Sequence, residues 1–428
     1  MNSSEPQYKF GKIFVLGFGF FGVSVIWSIY NAFVPLFLDG KFGLSAAWIG
    51  FFMTLDNFAG LLIQPPVGAW SDRLRTPLGR RIPFILIGAP IGAIVFGLIP
   101  LASILPLFVL CTSTLLLSMA FWRTPVIALM PDVTPSRYRS QANGIINFMG
   151  GLGALMSFFV GSKLYAINQA YPFWMGSGLV IIASLLVILF VKEPKVYEQP
   201  SQEKTPGLFK SIAMIWRDPE KSPLRMLLAI LFWFISYNAI DSFFTLYAFR
   251  HLGLSQSESA FQLTFISLIF LIFAIPSGLI GSKIGRKTTI MIGIIILGSV
   301  IAVLGIAPVD SLLNILTELP LVGNIRVVGV LLMVAGLGWA CININSLPMM
   351  VDMTDDARVG TYTGLYYFAS TTAAILGPNI FGWIVQLGGN NYNLLMVFSP
   401  FFMVLALLMM IGVRKGEAKK KESLTETL

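Results

Sequence analysis

The sequence predicts an all-α membrane protein with twelve transmembrane helices in two pseudo-symmetric six-helix bundles. Composition, the placement of basic residues and an internal repeat support this fold class. Of the 428 residues, 56% are apolar and 11% are charged, whereas a soluble protein carries roughly 25% charged residues. So much apolar surface requires lipid as the solvent, which excludes a secreted protein, a cytosolic enzyme and a disordered chain. The apolar runs are continuous rather than alternating, so an outer-membrane barrel is excluded as well.

Twelve apolar stretches are long enough for helices that cross a bilayer. Numbered in chain order, the predicted helices cover 12–37, 47–70, 82–103, 106–130, 142–165, 172–191, 225–248, 259–281, 288–307, 326–350, 361–386 and 391–413. The polar stretch between helices 6 and 7 is rich in Lys, Glu and Pro, which is typical of a linker. We therefore expect an N-terminal bundle, a cytoplasmic linker, a C-terminal bundle and a basic cytoplasmic tail, over 1–191, 192–224, 225–413 and 414–428.

The placement of Lys and Arg predicts the orientation. Most of the 29 basic residues fall on the side of the membrane that holds both termini, and the positive-inside rule makes that side cytoplasmic. This asymmetry explains the net charge of +9 without a nucleic-acid partner, although binding of anionic lipid headgroups by the linker or tail is an alternative. The polar start is followed by an apolar stretch too long for a cleavable signal. We expect a monomer in the plasma membrane.

Composition also limits the chemistry. Cys111 and Cys341 both fall inside apolar runs, and His251 is the only histidine and lies in a loop. A disulfide framework, a zinc site and a Ser/His/Asp triad are therefore not indicated. We expect no enzyme activity, no cofactor and no metal.

The two halves of the chain resemble each other in three places. YNAFVPLF at Tyr30–Phe37 matches YNAIDSFF at Tyr237–Phe244, and MPDVTPSRYRSQANG at Met130–Gly144 matches MVDMTDDARVGTYTG at Met350–Gly364. The third pair is GAWSDRLRTPLGRR from Gly68 and GLIGSKIGRK from Gly278. A duplicated six-helix unit is the architecture of many secondary transporters, whose substrate site lies near mid-membrane between the halves.

The repeated loop after helices 2 and 8 resembles the signature loop of the major facilitator superfamily. The stretch GLLIQPPVGAWSDRLRTPLGRRIPFILIGAP over 60–90 is similar to the plant sucrose/proton symporters and their animal and bacterial relatives. It is more loosely similar to the glycoside–pentoside–hexuronide symporters. The resemblance implies the major-facilitator fold and transport of a sugar. The plant symporters carry an aspartate in helix 4, whereas LLLSMAFWRTP over 115–125 has no carboxylate, so proton coupling cannot be carried over from that position.

Three ionisable residues lie deep within predicted spans: Asp56, Arg123 and Asp241. Each costs roughly 2.5–3.5 kcal/mol at the bilayer centre unless it is paired or faces water, so function is favoured over a structural ion pair. By helical rise, Asp56 and Asp241 lie about 14 and 10 Å from the outer side, and Arg123 about 26 Å. The three sum to −1 when ionised, so one bound proton would neutralise them. We expect Asp56 and Asp241 to couple transport to H⁺ rather than Na⁺, because sodium usually needs more than one carboxylate close together, and helix 2 offers one acid and helix 4 none.

A polar stripe on helix 7, together with polar residues of helices 1, 4, 10 and 11, predicts a sugar site. A neutral sugar needs carboxylate, amide and guanidinium partners for its hydroxyls and aromatic faces for its C–H surfaces. The predicted substrate-binding residues are Tyr30, Asn31, Arg123, Tyr237, Asn238, Asp241, Asn343 and Tyr366. By the repeat, Arg123 corresponds to Asn343. Helix–helix hydrogen bonding is the alternative role for these amides, and it is favoured for Asn345, which points away from Asn343.

Charged residues at helix ends predict gates. In related transporters such charges pair across the halves and close the inner side, so the resemblance implies this role for Asp72, Arg73, Arg80, Arg81, Asp132 and Asp352.

Three alternatives to a neutral-sugar symporter remain. Arg123 could bind the carboxylate of an anionic sugar such as a uronate. The protein could be a drug/proton antiporter, although helix 5 lacks the GP-containing run of those proteins. A membrane sensor would need a signalling domain, for which the linker is too short.

Overall fold

The computed structural model describes residues 11–135, 138–193, 208–320, 323–355 and 358–417. Its helices are α1 (Gly11–Gly40), α2 (Ala46–Phe52), α3 (Leu55–Arg73), α4 (Ile82–Leu98), α5 (Leu105–Val133), α6 (Arg139–Ile167), α7 (Tyr171–Phe190), α8 (Leu208–Arg217), α9 (Ser222–Arg250), α10 (Gln256–Ile284), α11 (Arg286–Ile306), α12 (Val309–Leu313), α13 (Val327–Val351), α14 (Val359–Leu387) and α15 (Asn393–Ile411). A short 3₁₀ helix covers Ile99–Leu101. Parts of the predicted linker and basic tail, 194–207 and 418–428, lie outside the described residues.

Within the described residues, twelve helical stretches are long and apolar enough to cross a membrane. Helices α2 and α3 together make the second of them, Ala46–Arg73. Large apolar side chains cover the outer surface of the bundle; Ile306 and Leu387, for example, are 77% and 80% exposed. A water-soluble protein could not expose so many large apolar side chains, whereas lipid solvates them. The predicted class, an all-α protein of twelve membrane helices, is confirmed.

The helix starts follow local chemistry. Helices α4, α5 and α7 each carry a proline in their first two positions, where the missing N–H would have had no partner inside the helix. Gly79 and Gly285 stand in the turns before α4 and α11, with φ of +108° and +99°. Side chains rarely tolerate this backbone region. The two turns are the repeated loop found in the sequence, so the repeat is also present in the backbone.

Several short elements were not predicted. Helix α8 lies in the predicted linker, and α12 precedes a two-stranded antiparallel hairpin of β1 (Ile315–Leu319) and β2 (Gly323–Arg326). Glu318 pairs with Asn324 and Leu319 with Gly323 in the hairpin. These elements connect membrane helices and contribute little to the fold class.

The chain forms two compact units. Unit 1 consists of Met1–Ser201, Asp241–Leu268 and Asn379–Tyr392; unit 2 consists of Gln202–Ile240, Ile269–Pro378 and Asn393–Leu428. The boundaries fall inside α9, α10 and α14, so each of these helices contributes a part to each unit. Aromatic rings fill much of the core of unit 1, where Phe33 stacks on Tyr165 with ring centroids 4.4 Å apart. In unit 2, α11 packs against α13 and α15. The predicted division into two sequential bundles stays a prediction.

Candidate functional site

Asp241 and Asn31 meet inside unit 1. Asp241 lies on α9 and Asn31 on α1, and the Asn31 Nδ2 donates a hydrogen bond of 2.8 Å to Asp241 Oδ2. Both side chains are half-buried. An amide that donates to a carboxylate forms a charge-assisted bond, which is stronger than a bond between neutral groups. Two predicted substrate residues, 210 positions apart in the chain, are therefore in direct contact.

Asp56 lies in the first turn of a helix that begins inside the second span. The span is interrupted at Met53 and Thr54, between α2 and α3, and Asp56 is the acidic residue of the first turn of α3. Asn57 Nδ2 donates to Asp56 Oδ1 at 2.8 Å. The start of a helix has unpaired N–H groups and a partial positive charge, which stabilise a carboxylate there. Neither the break nor Asn57 was predicted; a broken helix at mid-membrane commonly marks a transporter binding site.

The other charged groups gather around Asp56. The Arg123 guanidinium and the Asp241 carboxylate both lie within electrostatic range of Asp56, and the Tyr30 hydroxyl does too. Tyr30 is 1% exposed, and the described residues offer its hydroxyl no hydrogen-bond partner. A buried hydroxyl without a partner is costly in a protein unless a ligand or water satisfies it. The structure thus brings together five predicted residues: Tyr30, Asn31, Asp56, Arg123 and Asp241.

The predicted site residues of unit 2 form an aromatic cluster. The Tyr237 ring is stacked on the indole of Trp339, with centroids 3.6 Å apart and planes 6° apart. Phe234 packs edge-on against Trp339 at 5.5 Å. The Tyr366 hydroxyl, which is buried, shares a 2.9 Å hydrogen bond with Ser346 Oγ. Trp339 was missed, although its position four residues before Asn343 on the same helix face was a usable signal.

The predicted amides of unit 2 differ in their roles. Asn238 is half-buried and its Nδ2 donates 2.7 Å back to the Phe234 carbonyl of its own helix. Asn343 is half-buried on α13, and its backbone carbonyl accepts from Ser346 Oγ at 3.1 Å. Asn345 is 3% exposed, and its Nδ2 bonds Ser277 Oγ at 3.1 Å and the Cys341 carbonyl at 3.0 Å. These bonds agree with the structural role preferred for Asn345.

Four of the five predicted gate residues of unit 1 form one ion-pair network. Arg80 pairs with Asp132 at 2.6 Å, and Arg81 pairs with Asp132 at 3.0 Å and also with Asp72. Arg73 is exposed on the same helix as Asp72. In unit 2, Asp352 pairs with Arg286. These pairs join residues of the same unit, and pairing across the halves, which the resemblance implies, stays a prediction.

Two glutamates that the sequence analysis missed complete the repeated loops. The Glu193 carboxylate accepts hydrogen bonds from the backbone N–H groups of Arg80, Arg81 and Ile82, at 2.9, 2.8 and 2.8 Å. Glu417 accepts from the N–H groups of Arg286 and Lys287 at 2.7 and 3.1 Å. Each glutamate follows the last helix of its half and caps the first turn of α4 or α11. Within the described residues, no group of three or more His, Cys, Asp or Glu side chains could hold a metal ion.

The sequence profile of the Major Facilitator Superfamily matches residues 16–323 and 249–427. The chain belongs to this superfamily of membrane transporters. Membership confirms the predicted transporter class and the prediction that the chain is not an enzyme. The narrower likeness to the sucrose and glycoside–pentoside–hexuronide symporters stays a prediction.

Relatives with described functions include transporters of different kinds. The chain is 22% identical to multidrug resistance protein 1 of Bacillus subtilis (strain 168) over 223 residues, 52% of this chain and 54% of that protein. It is 36% identical to the human proton-associated sugar transporter A over 91 residues, 21% of this chain and 12% of that protein. The chain thus spans about half the length of the first relative and much less of the second.

Solved structures agree with the fold. The crystal structure of a mutant form of the nucleoside transporter NupG matches with a TM-score of 0.74 at 16% identity, covering 94% of this chain and all of that chain. At this identity the match concerns the fold alone.

Proposed function

We propose that the protein is a secondary active transporter that carries a sugar, a disaccharide or glycoside, together with a proton by alternating access. The observation that carries the proposal is the Asn31–Asp241 hydrogen bond, with Asp56 and Arg123 in electrostatic range. Two carboxylates and one guanidinium leave one negative charge, and a bound proton removes it. Protonation of a buried carboxylate depends on its surroundings, so it can change with conformation.

The same groups suit a polyol. Carboxylate and amide oxygens accept from sugar hydroxyls, and guanidinium and amide N–H groups donate to them. Within unit 2, the rings of Tyr237 and Trp339 are stacked, and aromatic faces are the kind of surface that binds sugar C–H groups. Helix α9 carries Tyr237, Asn238 and Asp241 within about one turn. The human relative, a proton-associated sugar transporter, also supports a sugar over other neutral cargo.

We further propose that the chain resides in the plasma membrane as a monomer with both termini in the cytoplasm, as the basic residues predict. The coupling ion is H⁺ rather than Na⁺, and no cofactor takes part.

Two rival cargoes follow from particular observations. Arg123 would bind the carboxylate of a uronate, which makes an anionic sugar the first rival. The B. subtilis relative is a multidrug resistance protein, which makes drug/proton antiport the second. Three intramembrane charges favour a polar cargo over an apolar drug, because a polar cargo can exchange hydrogen bonds with charged groups and an apolar drug cannot.

Uptake into proteoliposomes tests the proposal. Labelled mono- and disaccharides, a glycoside, a uronate and a cationic dye are supplied under an inward proton gradient, with and without Na⁺. We expect accumulation of a neutral sugar that a protonophore abolishes and that Asp241→Asn eliminates. The control is Asp310→Asn, which removes an exposed carboxylate of a connecting helix.

The other outcomes are also decisive. Accumulation of the uronate alone, lost in Arg123→Gln, would establish the anionic-sugar rival. Gradient-driven exclusion of the dye would establish the antiporter. Accumulation that needs Na⁺ would refute proton coupling, and no uptake of any sugar by folded protein would refute the sugar proposal.

A further inference from the structure

The connection between α11 and α13 is strongly apolar for a segment outside the membrane spans. Ten of the twenty residues over 307–326 are Ala, Val, Leu or Ile. All five residues of β1 are exposed, and Ile315, Leu316 and Leu319 among them are 52%, 59% and 42% exposed. Connecting segments in water are normally polar, and apolar side chains on an exposed strand favour aggregation. The hairpin therefore needs a partner that covers these side chains.

The base of the hairpin is fixed at the end of a membrane span. Val327 is the first residue of the tenth span, and its N–H donates to the Asn314 carbonyl at 3.0 Å. Arg326 Nη1 donates to the Leu313 carbonyl, also at 3.0 Å. Leu312 of α12 is 1% exposed and fastens the connection to the bundle. The hairpin thus begins where the span ends, at the boundary of the bilayer.

The strand register gives the hairpin two chemically different faces. Thr317 of β1 is paired with Ile325 of β2. The next residue, Glu318, is paired with Asn324. Side chains alternate along a strand, and directly paired residues share a face, so Leu319 lies on the same face as Thr317. We call Thr317, Leu319 and Ile325 the apolar face, and Glu318 and Asn324 the polar face.

The edge of β1 is poorly suited to pairing with another strand. The strand has five residues, and its register shifts between Ile315 and Thr317, which makes Leu316 the extra residue of a β-bulge. Pro320 follows the strand directly and has no N–H to donate. Short length, a bulge and a proline are the features by which strand edges avoid a further strand. Lipid is therefore a better partner for the hairpin than β1 of a second copy.

The dimensions of the bilayer indicate how the hairpin is oriented. A five-residue strand is about 17 Å long, whereas the headgroup region of each leaflet is about 5–7 Å thick. An upright hairpin would carry Leu319 through the headgroup region into water. A hairpin inclined along the membrane surface places the apolar face on lipid and leaves the polar face in water.

We propose that the β1–β2 hairpin is an interfacial anchor, which lies along the bilayer surface with its apolar face in the lipid. The anchor holds the ends of α11 and α13, which the connection joins, at a fixed depth in the leaflet. This inference goes beyond the proposed function and is independent of the cargo and the coupling ion.

The chemistry of the segment specifies what the anchor binds. No Lys or Arg occurs over 307–325, and the exposed charged residues of the segment that the structure describes, Asp310 and Glu318, are acidic. Attraction to anionic headgroups requires basic residues. The anchor therefore binds the boundary between headgroups and acyl chains through apolar area, and a zwitterionic bilayer is sufficient.

Spin labels on neighbouring residues of the hairpin test the anchor. The chain carries serine in place of Cys111 and Cys341, and a nitroxide is attached to one introduced cysteine at a time in phosphatidylcholine vesicles. Collision with oxygen, which concentrates in lipid, and with a water-soluble nickel chelate gives the depth of each label. Ile306→Cys, at a position that is 77% exposed at the end of α11, is the lipid-facing reference. The hairpin variants are Thr317→Cys, Glu318→Cys, Leu319→Cys and Asn324→Cys.

The anchor predicts that depth alternates along the strand. We expect the labels at Thr317 and Leu319 to lie about 5–10 Å deeper than those at Glu318 and Asn324, the depth to which an interfacial apolar face is buried. The alternation should be the same when a third of the lipid is phosphatidylglycerol.

Three other results would overturn the anchor. Equal access of the nickel chelate to all four labels would place the hairpin in water. Labels at Thr317 and Leu319 that neither oxygen nor the chelate reaches would show that protein, such as a second copy, covers the apolar face. Alternation that appears only with phosphatidylglycerol would show that charge, and not apolar area, holds the hairpin at the membrane.

Discussion

The Tyr237 ring lies parallel to the indole of Trp339 at 3.6 Å between centroids. The two residues are on α9 and α13, about a hundred positions apart, and the contact holds Tyr237 in one orientation. Such a pair gives unit 2 a rigid aromatic surface, and a rigid surface loses little entropy when a ligand binds.

Truncation of this stack should weaken sugar binding. We expect Tyr237→Leu to raise the half-saturation concentration for sugar uptake about three- to tenfold, because it removes one of the aromatic faces proposed to bind sugar C–H surfaces. The maximal rate should change less. Phe401→Leu, at a ring that is 59% exposed on α15, is the matched control and should behave like the wild type. Equal effects of the two variants would show that the stack has no part in sugar binding.

Asp56 should stabilise the fold through Arg123. Asp56→Asn removes a carboxylate within electrostatic range of Arg123, and we expect a loss of about 1 kcal/mol of unfolding free energy, the upper part of the range for charges that are not fully buried together. Combining it with Arg123→Gln should restore part of this loss, giving a coupling above about 0.5 kcal/mol. Thermal unfolding in detergent measures the cycle. Strictly additive losses would mean that the two residues do not interact.

The two capping glutamates should differ in importance. Glu193→Gln should destabilise the protein by about 1–2 kcal/mol, because a charged cap of a helix start is replaced by a neutral one. Glu417→Gln should cost less, since Glu417 is exposed and accepts two N–H groups rather than three. Glu318→Gln on the hairpin is the control. A larger loss at Glu417 than at Glu193 would contradict this ranking.

His251 should make stability fall in mild acid. Burial lowers the pKa of His251 below its usual 6.5, so below that pH the unfolded chain binds a proton that the folded protein resists. The contribution of His251 to the free energy of unfolding is therefore fully present above pH 6.5. It decreases as the pH falls below that value. Thermal unfolding of His251→Gln between pH 7.5 and 5 should show a shallower decline than the wild type. Parallel pH profiles would exclude His251 as the source.

The fold class could be predicted because membrane spans follow from a local property. A run of about twenty apolar residues is a helix in lipid whatever its neighbours do, and the twelve predicted spans are all present. The break at Met53 and Thr54 could not be predicted, since no proline or glycine marks it. It depends on tertiary contacts, among them the hydrogen bond from Asn379 to Thr54.

The candidate site was predictable to the extent that charge in a membrane is rare. Asp56, Arg123 and Asp241 stand out because a charged side chain is energetically costly inside a membrane. In the structure, Arg123 and Asp241 both lie within electrostatic range of Asp56. Their partners were harder to find: Asn57 and Glu193 are common residue types at helix starts and loops. Trp339 is one of nine tryptophans, and only the folded chain shows that it faces Tyr237.

The interrupted second span has a consequence for biogenesis. The second span is less hydrophobic than the first and third spans, and it carries an acidic residue, Asp56, in the first turn of α3. A segment of this kind partitions poorly into lipid by itself. We expect the insertion machinery to release it as a hairpin with the first span, whose polar face offers Tyr30 and Asn31. Ribosome-stalled intermediates that end before and after the second loop would then differ sharply in resistance to alkaline extraction.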